Sequence, residues 1–176
     1  MQRYQEALRI LQNAQGTQAS APDYRIASIY NNMSALYQRA GAFQEAADCL
    51  QKALKILQHL TESEIETAIT YSNLAGLYLQ SGQIAEAQRC ANEAESRFRQ
   101  HSGDRDVHYA AAVSAQGEVA YAQGDFASAA AFFEKALQLT ERDYGCDNDA
   151  YRTVQRNLQI CREALQKETA KQEAEH

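Results

Sequence analysis

Two groups of side chains in this chain have types and spacing that could do chemistry. The first is His108 with Asp104 and Asp106, and the second is the set of thiols Cys49, Cys90, Cys146 and Cys161. An imidazole between two carboxylates could move a proton or hold a metal. The same three polar groups, standing at the head of an apolar stretch, are what a helix N-terminus needs as a cap, and the capping account is the simpler one. His59 and His101 fall near the ends of helical stretches, where a cation suits the helix dipole. No C-x-x-C pair occurs, and Cys146 and Cys161 have no histidine close in sequence to complete a metal site. A Gly-rich phosphate loop, a G-x-S-x-G elbow and an H-E-x-x-H helix are all missing from the sequence. The expectation is therefore a protein that is not an enzyme and uses no metal or cofactor.

The bulk properties narrow the partners. Of 176 residues, 45% are hydrophobic, enough for a buried core, and the lone proline, Pro22, leaves helix favoured almost everywhere. A net charge of −6 argues against nucleic acid and against an anionic membrane surface. No apolar run approaches the ~20 residues that span a bilayer. The amphipathic start carries Glu6 and does not read as a secretory signal. The thiols are expected to be reduced, in a cytoplasmic protein.

The elements that must position any site come from an internal repeat. Gly41, Gly82 and Gly124 are 41 and 42 residues apart. Each is followed by a large apolar residue (Phe43, Ile84, Phe126) and then by two alanines at constant offsets: Ala46 and Ala53, Ala87 and Ala94, Ala129 and Ala136. Tyr37 and Tyr78 precede the first two glycines, as do Asn32 and Asn73 further upstream. A glycine between two helical stretches ends the first of them in a left-handed turn, and small residues after it let two helices approach closely. Each unit is thus an antiparallel helical hairpin, which buries its apolar faces only by stacking on its neighbours. Cys49 and Cys90 share a slot that Phe132 fills in the third unit, so apolar packing explains them. Equivalent backbones of stacked units lie ~10 Å apart, too far for a disulfide.

The expected organisation is a second helix of a truncated leading unit over residues 1–16, hairpins over 22–60, 62–100 and 104–143, a capping helix over 147–167 and a frayed tail over 168–176. Pro22 suits the first turn of a helix. Thr61 to Glu64 has the spacing of a capping box. Tyr4, Ala7 and Ala14 fall in the columns of Phe43, Ala46 and Ala53. Either the chain is a fragment of a longer protein or its N-terminus is an unusual cap.

These columns resemble the tetratricopeptide repeat (TPR). The period exceeds the usual ~34 residues. Tyr71-Ser72-Asn73-Leu74-Ala75-Gly76-Leu77-Tyr78 looks like the longer repeats of the kinesin-light-chain type. The resemblance implies an all-α, right-handed α–α superhelix whose first helices line a concave groove holding a protein or an extended peptide. It places Asn32, Asn73 and Asn157 in the column that grips a peptide backbone, a task suited to a carboxamide that donates and accepts at once. Hydrogen bonding between neighbouring repeats would explain the same column. The third repeat departs, with Ala115 in that column and Gln116 where Met33 and Leu74 stand. Further groove candidates are Asn31, Gln38, Arg39, Ser72, Gln80, Glu118 and Tyr121, with Arg156 at the far end. A clamp for a C-terminal carboxylate is not expected, because Asn31, Ala35, Ala111 and Ala115 depart from its pattern and Asn73 alone fits.

The leading expectation is a protein–protein interaction scaffold. A sensor for a small signalling peptide and an accessory domain of a larger protein are alternatives, and exposed terminal helices could also drive self-association.

Overall fold

The computed structural model describes residues 1–15 and 23–174, with the side chains of 12, 14, 15 and 172–174 excepted. Among them are α1 (Gln2–Gln15), α2 (Tyr24–Arg39), α3 (Phe43–Leu57), α4 (Glu64–Gln80), α5 (Ile84–His101), α6 (Tyr109–Ala122), α7 (Phe126–Tyr144) and α8 (Asp149–Ala174). The pairs α2/α3, α4/α5 and α6/α7 are hairpins. Each stacks on the next, α1 packs on α2, and α8 closes against α7. The column of Ala14 and the helix start expected at Pro22 lie outside the described residues and side chains.

The repeated glycines explain the hairpin turns. Gly41, Gly82 and Gly124 have φ of 74°, 75° and 83°, a left-handed backbone that costs an L side chain ~1–2 kcal/mol. At Gly41 the glycine N–H donates to Gln38 O (3.1 Å) and the following Ala42 N–H to Tyr37 O (2.9 Å). Gly82 repeats the pair with Leu79 and Tyr78, and Gly124 with Tyr121 and Ala120. This reciprocal pairing satisfies carbonyls that a helix end would otherwise leave open. The next helix begins at once, on Phe43, Ile84 or Phe126.

Only one of these three second helices has a side-chain cap. Asp125 accepts a hydrogen bond from Ser128 N–H (3.0 Å), and those hydrogen bonds lower its pKa. Ala42 holds nearly the same backbone (φ −86°, ψ 68° against −84°, 76°) with no cap. Ala42→Asp should therefore stabilise the fold by about 0.5–2 kcal/mol, read as a higher urea midpoint with an unchanged slope.

The alanine columns are the seams of the stack. Ala46, Ala53, Ala87, Ala94, Ala129 and Ala136 are each 0% exposed. Between them sit the large buried residues, among them Leu50, Leu57, Leu77, Phe98, Val113 and Phe133. Cys49, Cys90 and Cys161 are free and buried in this core, while Cys146 is free and exposed in the α7–α8 turn. Burial pushes the Cys90 thiol up to about 11, so it stays protonated and packs as a small apolar group.

Two helix starts differ from expectation. The Thr61–Glu64 capping box does not form. Glu62 takes a left-handed backbone (φ 60°), and the buried Ser63 hydroxyl donates back toward Leu57 O (2.9 Å) and Leu60 O (3.2 Å), closing α3 instead of opening α4. Glu64 is engaged by Arg97 of α5. The expected start near Asp104 gives way to a short 3₁₀ turn, Gly103–Arg105. Asp104 pairs with Arg142 of α7 (3.3 Å), and Asp106 accepts from the backbone N–H of His108 (2.8 Å). At the other end α8 is helical to Ala174, past the expected end near 167.

Candidate functional site

The first helices stack in order, α2 on α4 and α4 on α6, and side chains one or two turns apart on them share a face. The asparagines there form a chain of hydrogen bonds. Asn73 of α4 donates from Nδ2 to Asn31 Oδ1 (2.9 Å), and Asn31 Nδ2 donates to Thr70 Oγ1 (2.9 Å). Thr70 is fully buried, and its hydroxyl donates a hydrogen bond to Glu66 O (2.7 Å). The chain ties the first hairpin to the second. It uses one donor of Asn73 and leaves its Oδ1 and second N–H facing outward. Asn32 is exposed and takes no part in it.

Gln116 of α6 is buried, where the other two repeats carry Met33 and Leu74. Its Nε2 donates to Asn92 Oδ1 (3.0 Å) and its Oε1 accepts from Gln88 Nε2 (3.2 Å). The departure in the third repeat is thus a satisfied polar contact between α5 and α6.

Beyond Asn73 that face opens into a cleft of about 710 Å³. Ile69, Ser72 and Asn73 of α4, Ala111, Ser114 and Glu118 of α6, and Thr153 and Val154 of α8 line it, with Val107, His108 and Tyr144 at the rim. A smaller hollow of about 130 Å³ adjoins it between α6 and α8, lined by Glu118, Tyr121, Phe133, Asn157 and Ile160. Glu118 borders both spaces. It is half-buried and has no hydrogen-bond or ion-pair partner among the described residues. Desolvation raises its pKa.

A carboxyl whose pKa is raised in the fold makes its ionised form a cost to folding. That cost is present in full above the folded pKa and is relieved as the pH falls toward the unfolded value of 4.5. Glu118→Gln should therefore melt higher than the parent at pH 7, and the gain should vanish below the ordinary glutamate range. His108, Tyr144, Asp149 and Tyr121 are the other titratable groups of the two spaces, so the test is the difference between parent and variant across pH.

Of the residues singled out in the sequence, Ser72, Asn73 and Glu118 line the cleft, and Glu118, Tyr121 and Asn157 line the hollow. Asn31 lies behind Asn73 in the hydrogen-bonded chain, while Asn32, Gln38, Arg39 and Gln80 line neither space. Arg156 lines neither space. It lies with Leu137, Arg152 and Arg162 in a separate outer hollow. The lining residues that sequence reasoning did not assign to a groove include Thr153, Val154, Val107 and Tyr144, and His108, which it read as part of a helix cap. Thr153 was within reach: it stands four residues before Asn157, as Ile69 does before Asn73. Asp106 and His108 stand 3.7 Å apart at the rim, and among the described residues no group of three His, Cys, Asp or Glu side chains could hold a metal.

The family model of the tetratricopeptide repeat matches residues 1–59, 25–100 and 110–143. The chain belongs to the tetratricopeptide repeat family. As a TPR protein it carries a fold whose repeats generally build interaction scaffolds and are generally not catalytic. Solved structures agree on the architecture. BtubC (BKLC) from P. vanneervenii superposes with a TM-score of 0.73 at 24% identity, covering 92% of this chain. The chain spans 63% of the length of that neighbour. Two crystal structures of a putative kinesin light chain from Podosopora anserina, with nearly identical TPR-like repeats, give TM-scores of 0.65 and 0.63 at 18% identity, covering 97% of this chain and 82% of theirs. The TPR chain thus shares the all-α superhelical fold of these structures. No curated protein sequence matches it. No helix among the described residues is long and apolar enough to cross a membrane.

Proposed function

We propose that this TPR chain is an interaction scaffold that holds an extended segment of a partner protein in the cleft formed by α4, α6 and α8. The observation that carries this reading is the cleft itself. Three successive first helices supply small polar and apolar side chains around about 710 Å³ of open space, wide enough for a peptide backbone to lie against them. Asn73 keeps an acceptor and a donor free at one wall, which suits the alternating N–H and C=O of an extended chain.

The test is selection of an unbiased displayed-peptide library on the purified chain. It is repeated on Asn73→Ala, which removes the polar grip, and on Ala111→Tyr, which fills the cleft from an exposed position. Peptides that enrich on the parent and are lost on both folded variants support the groove. Peptides that bind all three equally place binding elsewhere and overturn it.

A further inference from the structure

We infer that the hollow between α6 and α8 is the seat for one basic side chain of the bound segment, a lysine or arginine whose charged head meets the Glu118 carboxylate. The inference rests on the groove reading above and adds the chemistry of the occupant. Among the described residues Glu118 is the only carboxylate that borders both the cleft and the hollow. No lysine or arginine lines either space among the described residues, and the arginines of α8 lie elsewhere: Arg152 and Arg162 are paired with carboxylates, and Arg156 faces the outer hollow. Asp149, the other cleft carboxylate, already has Arg152 at 3.2 Å, and the rim imidazole of His108 has Asp106. Glu118 is thus left half-buried with no counter-charge of its own, and an incoming cation would relieve that cost. An anionic side chain in the same place would add to it.

The walls fit a basic side chain beyond its charge. About 130 Å³ takes the end of one side chain and not a peptide, so the backbone stays in the larger cleft. Ile160, 41% exposed, offers apolar surface to an aliphatic stem. Tyr121 is 40% exposed, leaving part of its ring accessible to a cation. Its neighbour Phe126 packs against it with the rings tilted by 56° and their centroids 5.2 Å apart. The Asn157 carboxamide can accept a further N–H from the head group.

Random displayed peptides selected in parallel on the parent, on Glu118→Gln and on Glu118→Lys test this. Thermal unfolding shows that the variants are folded, and sedimentation of the parent reports self-association. The expected result is enrichment of Lys or Arg at one peptide position on the parent, with roughly tenfold or greater loss of affinity on Glu118→Gln, the scale of a charge-assisted hydrogen bond. Replacing that peptide residue by alanine should cost the parent about as much and Glu118→Gln almost nothing more. Glu118→Lys should select Asp or Glu at the same position. Peptides that need Asn73 but show no basic preference would overturn the seat and leave the groove standing. A self-associating parent that becomes monomeric on Glu118→Gln, with no peptide enriched, would name a second copy as the occupant and overturn the partner-segment proposal. No enrichment and no self-association would overturn both readings.

Discussion

Phe133→Ala should cost about 3–5 kcal/mol, the range for emptying a buried aromatic site. Phe133 is 2% exposed and belongs to the core that joins the third hairpin to α8, with Val113, Val154, Leu158 and Cys161. Its ring lies against the α6 backbone at Gly117, where an added Cβ would come within 2.9 Å of it. Gly117→Ala on its own should therefore cost about 1–3 kcal/mol, because a ring held on all sides cannot move away. The two changes should not add. With the ring removed, alanine at 117 meets open space and gains its helix preference over glycine, about 1 kcal/mol, so its sign reverses. Urea unfolding of the parent, both single variants and the double variant measures this coupling. Additive losses would mean that the close approach of α6 and α7 does not depend on Gly117.

Ala87→Leu and Asn73→Ala should separate folding from binding. Ala87 is 0% exposed in a core shared by α3, α4, α5 and α6, where it packs with Leu50, Leu74 and Val119. Three more carbons there force the hairpins apart, at a cost of about 1–3 kcal/mol. Asn73 is exposed and gives up one hydrogen bond to Asn31, so Asn73→Ala should cost about 0.5–1.5 kcal/mol. Peptide affinity should show the opposite order below the melting range. Asn73→Ala should lose roughly tenfold, while Ala87→Leu, still folded, should lose little. Equal melting losses with equal affinities would assign Asn73 to the inter-repeat bond and to nothing else.

The hairpin architecture was legible because its requirements are local. A left-handed helix end demands glycine, and a tight seam demands alanine, so both recur at fixed offsets in each unit. The helix starts at Glu64 and Tyr109 were not legible, since distant groups settle them. Ser63 turns to the carbonyls at the end of α3, and Asp104 is taken by Arg142, 38 residues away. Bonding between repeats was one reading of the asparagine column, but Asn31 as the partner of Asn73 was not legible. The contact joins positions 42 residues apart in units spaced by 41, so the partners are not equivalent residues. The isolation of Glu118 is also invisible in sequence. It follows from α8 turning its arginines away, which depends on how the last helix packs.

The central claim is that the cleft along α4, α6 and α8 holds the partner, and nuclear magnetic resonance mapping tests it most directly. An enriched peptide is titrated into isotope-labelled protein and the shifted amides and side-chain carboxamides are assigned. The account predicts shifts concentrated at Ser72, Asn73, Ala111, Ser114, Glu118 and Thr153, including the Asn73 side chain. Shifts concentrated instead on the outer hollow around Leu137, Arg156 and Gln159, with the cleft unchanged, would contradict it.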